Sequence, residues 1–376
     1  MSNILVVCNS DFTFNKFLIP LVNQLTKKGF SVGVICEGDQ INHSDLKGKV
    51  IFHNILIPRK ASLFKFISTI FSIRKVIIEY KYQIVNSSNR NASFLTRVAM
   101  LTMPFSGVKN IYTARGMYYH DSQGPLSYSL TYLLEFFLLF FTDIVMSQSE
   151  EDVCKLNINP LVNSSKLKVI HNGIDEKKFS KNSVIGLDLD LKGFVLCSTG
   201  RIANGKGLLD LLEAFSIFSK THQRCTLLLI GGVLHNEYED LLTNFWKKAD
   251  QLGVRDNIYI TGLVDNVEDY LNIADVYIHP SYREGVPRAI LEAMSLEKIV
   301  IATDIRGARE IITKNVNGLL YKKGDIKGLS KLIKKVYFMN IQEKTNIRSM
   351  ARKRVLESYT ESAYIESQIQ IISNVS

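Results

Sequence analysis

At 376 residues the chain is too long for one ordinary hydrophobic core and suits two α/β domains. Hydrophobic residues make up 46% and charged residues 22%, which argues against disorder, and the opening run Met1–Cys8 reads straight into an apolar strand rather than a signal peptide. The formal charge of +10 is already complete at His120, where fifteen Lys and Arg stand against five Asp and Glu; a surface of that sign attracts phosphates, whether of anionic lipid, a lipid diphosphate or nucleic acid.

Short apolar, β-branched runs alternate with segments of helical period, the pattern of parallel sheets covered by helices. In the first half, strands are predicted at Ile4–Cys8, Ser31–Cys36, Val50–Ile57, Gln83–Asn86, Lys109–Thr113, Ile144–Ser147 and Leu167–His171. Between them a helix is expected from Asn15 to Lys28, stopped by Gly29, and another from Ser62 as N-cap to Tyr80. A third is expected from Leu126 to Phe141. The stretch Ser62–Tyr80 carries a broad apolar stripe flanked by Lys65, Arg74 and Lys75, so packing on its own sheet and contact with a membrane interface are both open. Leu133–Phe141 is almost wholly apolar but too short to span a bilayer, and with Glu135 inside it a buried helix of the first domain is expected.

The domain boundary falls between Asn172 and Lys192, where Asn172-Gly173 and Gly186 supply loop chemistry, and Asp188 and Asp190 are expected to be solvated there. A second strand series follows at Phe194–Ser198, Thr226–Ile230, Asn257–Ile260, Val276–His279 and Ile299–Ala302, with helices at Leu208–Ser219 and Glu237–Leu252. Five scattered cysteines (Cys8, Cys36, Cys154, Cys197, Cys225) suit reduced thiols in a cytosolic protein. No His, Cys and acid cluster has metal-ligand spacing.

Two segments carry chemistry. From His279 to Ile312, a strand end is followed by a loop with Glu284-Gly285 and by a helix beginning at Pro287, with Glu292 inside it. A helix start is an anion site, whereas carboxylates need hydroxyl partners, a ribose for one and a hexose for the other. From Ser198 to Phe215, Arg201 and Lys206 project from a glycine-rich turn between strand and helix, two cations suited to a diphosphate leaving group. Gly200, Gly205 and Lys206 also match the spacing of an ATPase phosphate loop, yet the Ser or Thr that would hold magnesium is Gly207. His171 and His279 each end a strand and are expected to be structural.

Through GRIANGKG, TGLVDNVEDYLNIADVYIHPS, the paired-Glu segment, NGLLYKKGD and HNGID, the chain resembles family 4 of the retaining GT-B glycosyltransferases over most of its length. The resemblance implies two Rossmann-like domains with parallel sheets facing across a crevice. Residues 1–171 would be the acceptor domain, 172–359 the nucleotide-sugar donor domain, and the C-terminal helix 360–376 would return to the first. By motif, Arg201 and Lys206 would hold the donor diphosphate, Glu292 the ribose, Glu284 the donor sugar, and amides near Gly285 and Val286 phosphate or sugar. Leu263 and Val264 would lie near the nucleobase. The first domain departs from the family: Cys8-Asn9-Ser10-Asp11 replaces a glycine pair, and Arg115-Gly116 replaces a His-Gly step, leaving His120 or Arg115 to approach the reacting sugar.

The implied reaction is transfer of a hexose or N-acetylhexosamine, with retention, from a UDP-sugar to a glycan on polyprenyl diphosphate in bacterial surface polysaccharide synthesis. No metal or cofactor is implied. The expected partners are the donor, the lipid-linked acceptor and the inner face of the plasma membrane, with no nucleic acid. A nucleotide-sugar epimerase, a phosphotransferase using the Gly205-Lys206 turn, and a non-catalytic scaffold of the same architecture are the alternatives.

Overall fold

Val- and Ile-rich runs without polar alternation pair only inside a sheet covered on both faces, and in the computed structural model the chain builds two such sheets. The structure describes residues 2–38, 41–58, 63–117, 124–159, 161–187, 189–233 and 239–375. They fall into two units, Met1–His171 with Tyr364–Ser376, and Asn172–Ala363.

The first unit contains β1 (Asn3–Val7), β2 (Ser31–Ile35), β3 (Val50–His53), β4 (Ile84–Ser88), β5 (Lys109–Ala114), β6 (Ile144–Ser147) and β7 (Leu167–Val169). They lie in the order β3-β2-β1-β4-β5-β6-β7, every pairing parallel. The winding reverses at β4, which returns to pair with β1. The first helical segment starts earlier than its apolar period suggested: Ser10 caps it by accepting from the Thr13 amide, and Asp11–Thr13 runs through a π-helical turn, Phe14–Leu18, into Ile19–Lys27. Strand β3 ends at His53, four residues short of the predicted Ile57.

Alternate residues of β1 define the two faces. Ile4 and Val6 pack with Phe14 and Leu18, and with Tyr364, Ile365, Ile369 and Ile372 of the C-terminal helix Glu361–Ser373. Leu5 and Val7 pack with Ile73 and Ile77 of helix Leu63–Glu79 and Ala92 and Leu95 of helix Arg90–Leu101. Register carries the second face onward, since Val7 is level with Ser87 and Ser87 with Tyr112, and Tyr112 clusters with Leu139 of helix Pro125–Leu139. Ser62, the expected cap of the second helix, lies outside the described residues.

Helix Pro125–Leu139 corrects an expectation. It is not buried: Leu139 and Glu135 face inward, while Leu126, Leu130, Leu133 and Phe137 are exposed. Its inward anchor is polar. The Arg97 guanidinium donates to both Glu135 carboxylate oxygens, at 2.8 and 3.2 Å, both side chains are fully buried, and Arg97 also lies 4.1 Å over the Tyr112 ring. The one charged group of the helix therefore occupies the position that an apolar side chain would otherwise fill.

The second unit contains β8 (Phe194–Thr199), β9 (Cys225–Ile230), β10 (Ile258–Ile260), β11 (Val276–His279), β12 (Ile299–Thr303) and β13 (Leu319–Tyr321), ordered β10-β9-β8-β11-β12-β13 and all parallel. The three-residue β13 was too short to read from period. Here the reversal lies between β8 and β11, and the fold of this unit, like that of the first, is Rossmann-like. The segments entering and leaving the unit are bonded together, Ile174 N to Tyr359 O at 3.0 Å and Glu361 N to Ile174 O at 2.8 Å.

Removing one partner of a buried pair strands the other's charge. Arg97→Ala and Glu135→Ala are each expected to cost the first unit about 3–5 kcal/mol, and Arg97→Met with Glu135→Leu much less; urea denaturation of the three variants, monitored by circular dichroism, measures the difference.

Candidate functional site

In a doubly wound sheet the loops at the carboxyl ends of the two strands flanking the reversal diverge and leave a crevice. In the second unit those loops begin at Gly200 after β8 and at Pro280 after β11, and they carry Arg201, Lys206 and Glu284. Backbone contacts fasten the two loops to each other. Tyr282 N donates to Gly205 O at 2.8 Å, and the Pro280 carbonyl presses against Gly207, where a Cβ would stand 2.0 Å from that oxygen. Gly207 also has φ +67°, a conformation that β-branched residues avoid. The Thr or Ser of an ATPase phosphate loop has no room at this position, which removes the structural basis of the phosphotransferase alternative. On the far side, Ile202 N donates to Gly232 O at 3.0 Å, so the β8 loop is held from both flanks.

A small pocket at this switch point is lined by residues including Thr199, Gly200, Arg201, Lys206, His279 and Ser281. Arg201 is exposed, with no hydrogen bond or ion pair to the described residues. Lys206, read from sequence as a cation suited to a diphosphate, is paired within the protein: its Nζ lies 2.5 Å from Glu284 Oε1. The same oxygen accepts from Ser281 Oγ at 2.8 Å and has His279 Nε2 at 3.6 Å. Burial alone would push the Glu284 carboxyl up, but the His279 imidazole and the Lys206 ammonium outweigh it and bring it down to about 2. His279 is buried and held on its other nitrogen by Tyr277 OH at 3.2 Å, which in turn meets Thr199 Oγ1 at 3.0 Å. Thus His279, assigned only a structural part from sequence, stands in the site. The signal available was its place at a strand end, two residues before Ser281 and five before Glu284.

The paired acids occupy different surroundings. Glu292 is buried on helix Arg288–Ser295, with Arg288 Nε 3.9 Å from its Oε1. Pro287 is the N-cap of that helix and makes no side-chain capping hydrogen bond, and the positive end of a helix attracts anions. The turn before it is fixed from behind: Asn172 Nδ2 donates to Val286 O at 2.8 Å, and a Cβ on Gly307 would fall 1.6 Å from Gly285 O. Val286 is buried, Leu263 is exposed, and Val264 packs partly against the core of the unit. Tyr282, whose hydroxyl donates to Asp210 Oδ2 at 2.6 Å, is pushed up to about 12 by burial and by that carboxylate.

In the first unit, Arg115 leaves the end of β5 and lies 4.7 Å over the Phe17 ring in the π-helical turn. Its Nε and Nη2 are buried with no hydrogen-bond partner among the described residues. His120 and Asp188 lie outside the described residues, while Asp190 is exposed. A residue not singled out from sequence is Asn89, at the β1/β4 reversal, with φ +70° and its amide donating to Thr13 Oγ1 at 3.0 Å and to Asn9 Oδ1. With ψ 155° this is not the left-handed helical region that Asn tolerates but one that side chains rarely adopt, and the two side-chain hydrogen bonds hold it there.

Residues 15–178 match the family Glycosyltransferase Family 4, and residues 181–354 match Glycosyl transferases group 1. The chain is 26% identical over 346 residues to the putative glycosyltransferase EpsD of Bacillus subtilis (strain 168), covering 89% of this chain and 87% of the relative. It is 27% identical to the capsular polysaccharide biosynthesis glycosyltransferase CapM of Staphylococcus aureus, covering 89% and 88%. It is 26% identical to the UDP-Gal:alpha-D-GlcNAc-diphosphoundecaprenol alpha-1,3-galactosyltransferase of Escherichia coli, covering 80% and 79%. Among solved structures, Anabaena Alr3699/HepE in complex with UDP and glucose superposes with a TM-score of 0.79 at 17% identity over the whole of both chains.

Because the folded-state value of Glu284, about 2, lies below its ordinary 4.5, its contribution to stability is complete above about pH 4.5 and is lost as pH falls through about 2. Lys206→Met is expected to raise that value and move the acid loss to higher pH, read from a carboxyl NMR titration of wild type and variant.

Proposed function

We propose that this chain, a glycosyltransferase whose two Rossmann-like units give it the GT-B fold, transfers a hexose or N-acetylhexosamine from a UDP-sugar, with retention of configuration, to a glycan carried on polyprenyl diphosphate. The observation that carries the reading is the convergence of Lys206, Glu284, His279 and Ser281 at the reversal of the second sheet, with Arg201, which has no partner among the described residues, beside them.

Departure of the nucleotide leaves growing negative charge on its terminal phosphate. Arg201, Lys206 and the uncapped amides after Pro287 stabilise that charge, so no divalent metal is needed. Lys206 is paired with Glu284. A donor diphosphate competes for the ammonium and frees the carboxylate to accept from sugar hydroxyls. Glu292, already desolvated, is suited to a ribose diol, and Leu263 and Val264 to the base. With no protein nucleophile assigned, the acceptor hydroxyl attacks from the face that the leaving phosphate vacates, and that phosphate takes its proton.

The UDP donor is supported by the UDP complex of the Anabaena structure, and the lipid diphosphate acceptor by the name of the Escherichia coli relative. The capsular relative supports a part in surface polysaccharide synthesis. The charge excess of the N-terminal 120 residues suits work at the anionic inner face of the plasma membrane.

The deciding experiment is a thermal-shift screen of nucleotide sugars, followed by mass analysis of products formed on lipid-linked acceptors. Stabilisation by no nucleotide sugar would sink the donor assignment. Turnover is expected to persist in excess chelator, while Arg201→Ala and Lys206→Ala each lower it by roughly 10²- to 10³-fold. Donor titrations against turnover separate the two acids: Glu292→Ala is expected to weaken donor binding chiefly, Glu284→Ala to slow turnover as well.

A further inference from the structure

The second face of the first sheet carries helices Leu63–Glu79, Arg90–Leu101, Pro125–Leu139 and Glu150–Asn157. Helix Arg90–Leu101 lies between the first and the third of these, packed on helix Leu63–Glu79 and joined to helix Pro125–Leu139 by the Arg97–Glu135 pair. The two helices that flank it both present apolar side chains to solvent.

Helix Pro125–Leu139 is amphipathic in the inverted sense. Leu126, Leu130, Leu133, Phe137 and Phe140 follow one another at gaps of four, three, four and three, one helical stripe, and are between 51% and 75% exposed. From Pro125 to Phe141 the sole charge is Glu135, and it is fully buried against Arg97. An ordinary surface helix does the opposite, because water solvates charge and is driven off apolar area. On the same face, helix Leu63–Glu79 has Phe64 and Phe71 83% and 58% exposed, with the exposed cations Lys65 and Lys75 beside them in sequence.

We propose that this helical face is a bilayer-docking surface, the Pro125–Leu139 stripe entering the headgroup–acyl boundary while the Leu63–Glu79 helix adds apolar contact and binds anionic headgroups. The argument for lipid over a second copy of the chain is the division of labour: an uncharged apolar stripe fits acyl chains, and cations set among exposed phenylalanines fit the phosphate plane just above them. No helix among the described residues is long and apolar enough to cross a membrane, so the attachment is interfacial. The proposal deepens the membrane reading above and rests on it for its biological sense.

The chain has a single tryptophan, Trp246, in the second unit, which gives a clean reporter background. In full-length protein carrying Trp246→Phe and Phe137→Trp, the introduced indole is expected to shift to the blue with phosphatidylcholine–phosphatidylglycerol vesicles and to be quenched by brominated acyl chains. Leu130→Ser with Phe137→Ser is expected to lower vesicle partitioning roughly tenfold or more, since each side chain loses most of its burial. Lys65→Glu with Lys75→Glu should weaken binding to anionic vesicles alone, and more at low salt than at high. An indole that stays unquenched, or serine variants that bind vesicles as wild type does, overturns the proposal. So does a concentration-dependent dimer, seen by sedimentation, that the serine pair abolishes while vesicle binding is unchanged. None of these readouts uses donor or acceptor, and stabilisation by a nucleotide sugar in the same variants keeps a failure here distinct from a failure of the transferase assignment.

Discussion

A parallel sheet buried on both faces can be closed only by crossovers that carry the chain back over one face or the other, and this constraint organises both units. Each sheet starts in the middle, winds outward, then returns to the starting strand and winds the other way. The reversal is the place where two successive loops at the carboxyl edge part company. In the second unit that place is filled by Gly200 to Gly207 on one side and Pro280 to Pro287 on the other, locked together through Gly205, Gly207 and Tyr282. The position of the proposed site thus follows from topology, while the closeness of its two loops follows from glycines that let backbone meet backbone.

Electrostatics then decides the resting state of the site. Glu284 is desolvated, which on its own favours the protonated acid, yet the surrounding His279, Ser281 and Lys206 hold it as an anion. Lys206 is correspondingly not idle: its charge is already spent on a carboxylate. An anion drawn to Lys206 would exchange partners with Glu284 rather than meet a free cation. The exposed Arg201 has no such partner among the described residues, so the two cations are not equivalent.

The first unit solves a different problem with the same kinds of interaction. By placing Glu135 inward against Arg97, which itself lies over the Tyr112 ring, the fold removes the only charge from the solvent side of helix Pro125–Leu139. Buried pairs of this kind are weak contributors to net stability but strict about geometry, because a misplaced partner leaves an unsolvated charge. The pair therefore fixes the rotation of the helix, and with it the apolar stripe turned outward.

Much of this was legible in the residues. Val276–His279 and Ile144–Ser147 read with their observed bounds because continuous β-branched runs have few alternatives, and the segments that contain Arg201, Lys206, Glu284 and Glu292 carried the resemblance to glycosyltransferases. Period alone could not register β13, three residues long, or the start of the first helix, which Ser10 set by capping rather than by hydrophobic pattern. Nor could it give the helix Leu126 to Phe141 its orientation, since a run apolar on nearly every side has no preferred inward face until a partner for Glu135 is found in Arg97, thirty-eight residues away. The pairing of Lys206 with Glu284 and the entry of His279 into the site belong to the same class. Sequence determined which groups were present and at which strand ends, because local propensity and spacing act over a few residues. Tertiary structure decided which of them touch, because desolvation and charge pairing depend on distances that only the closed sheet sets.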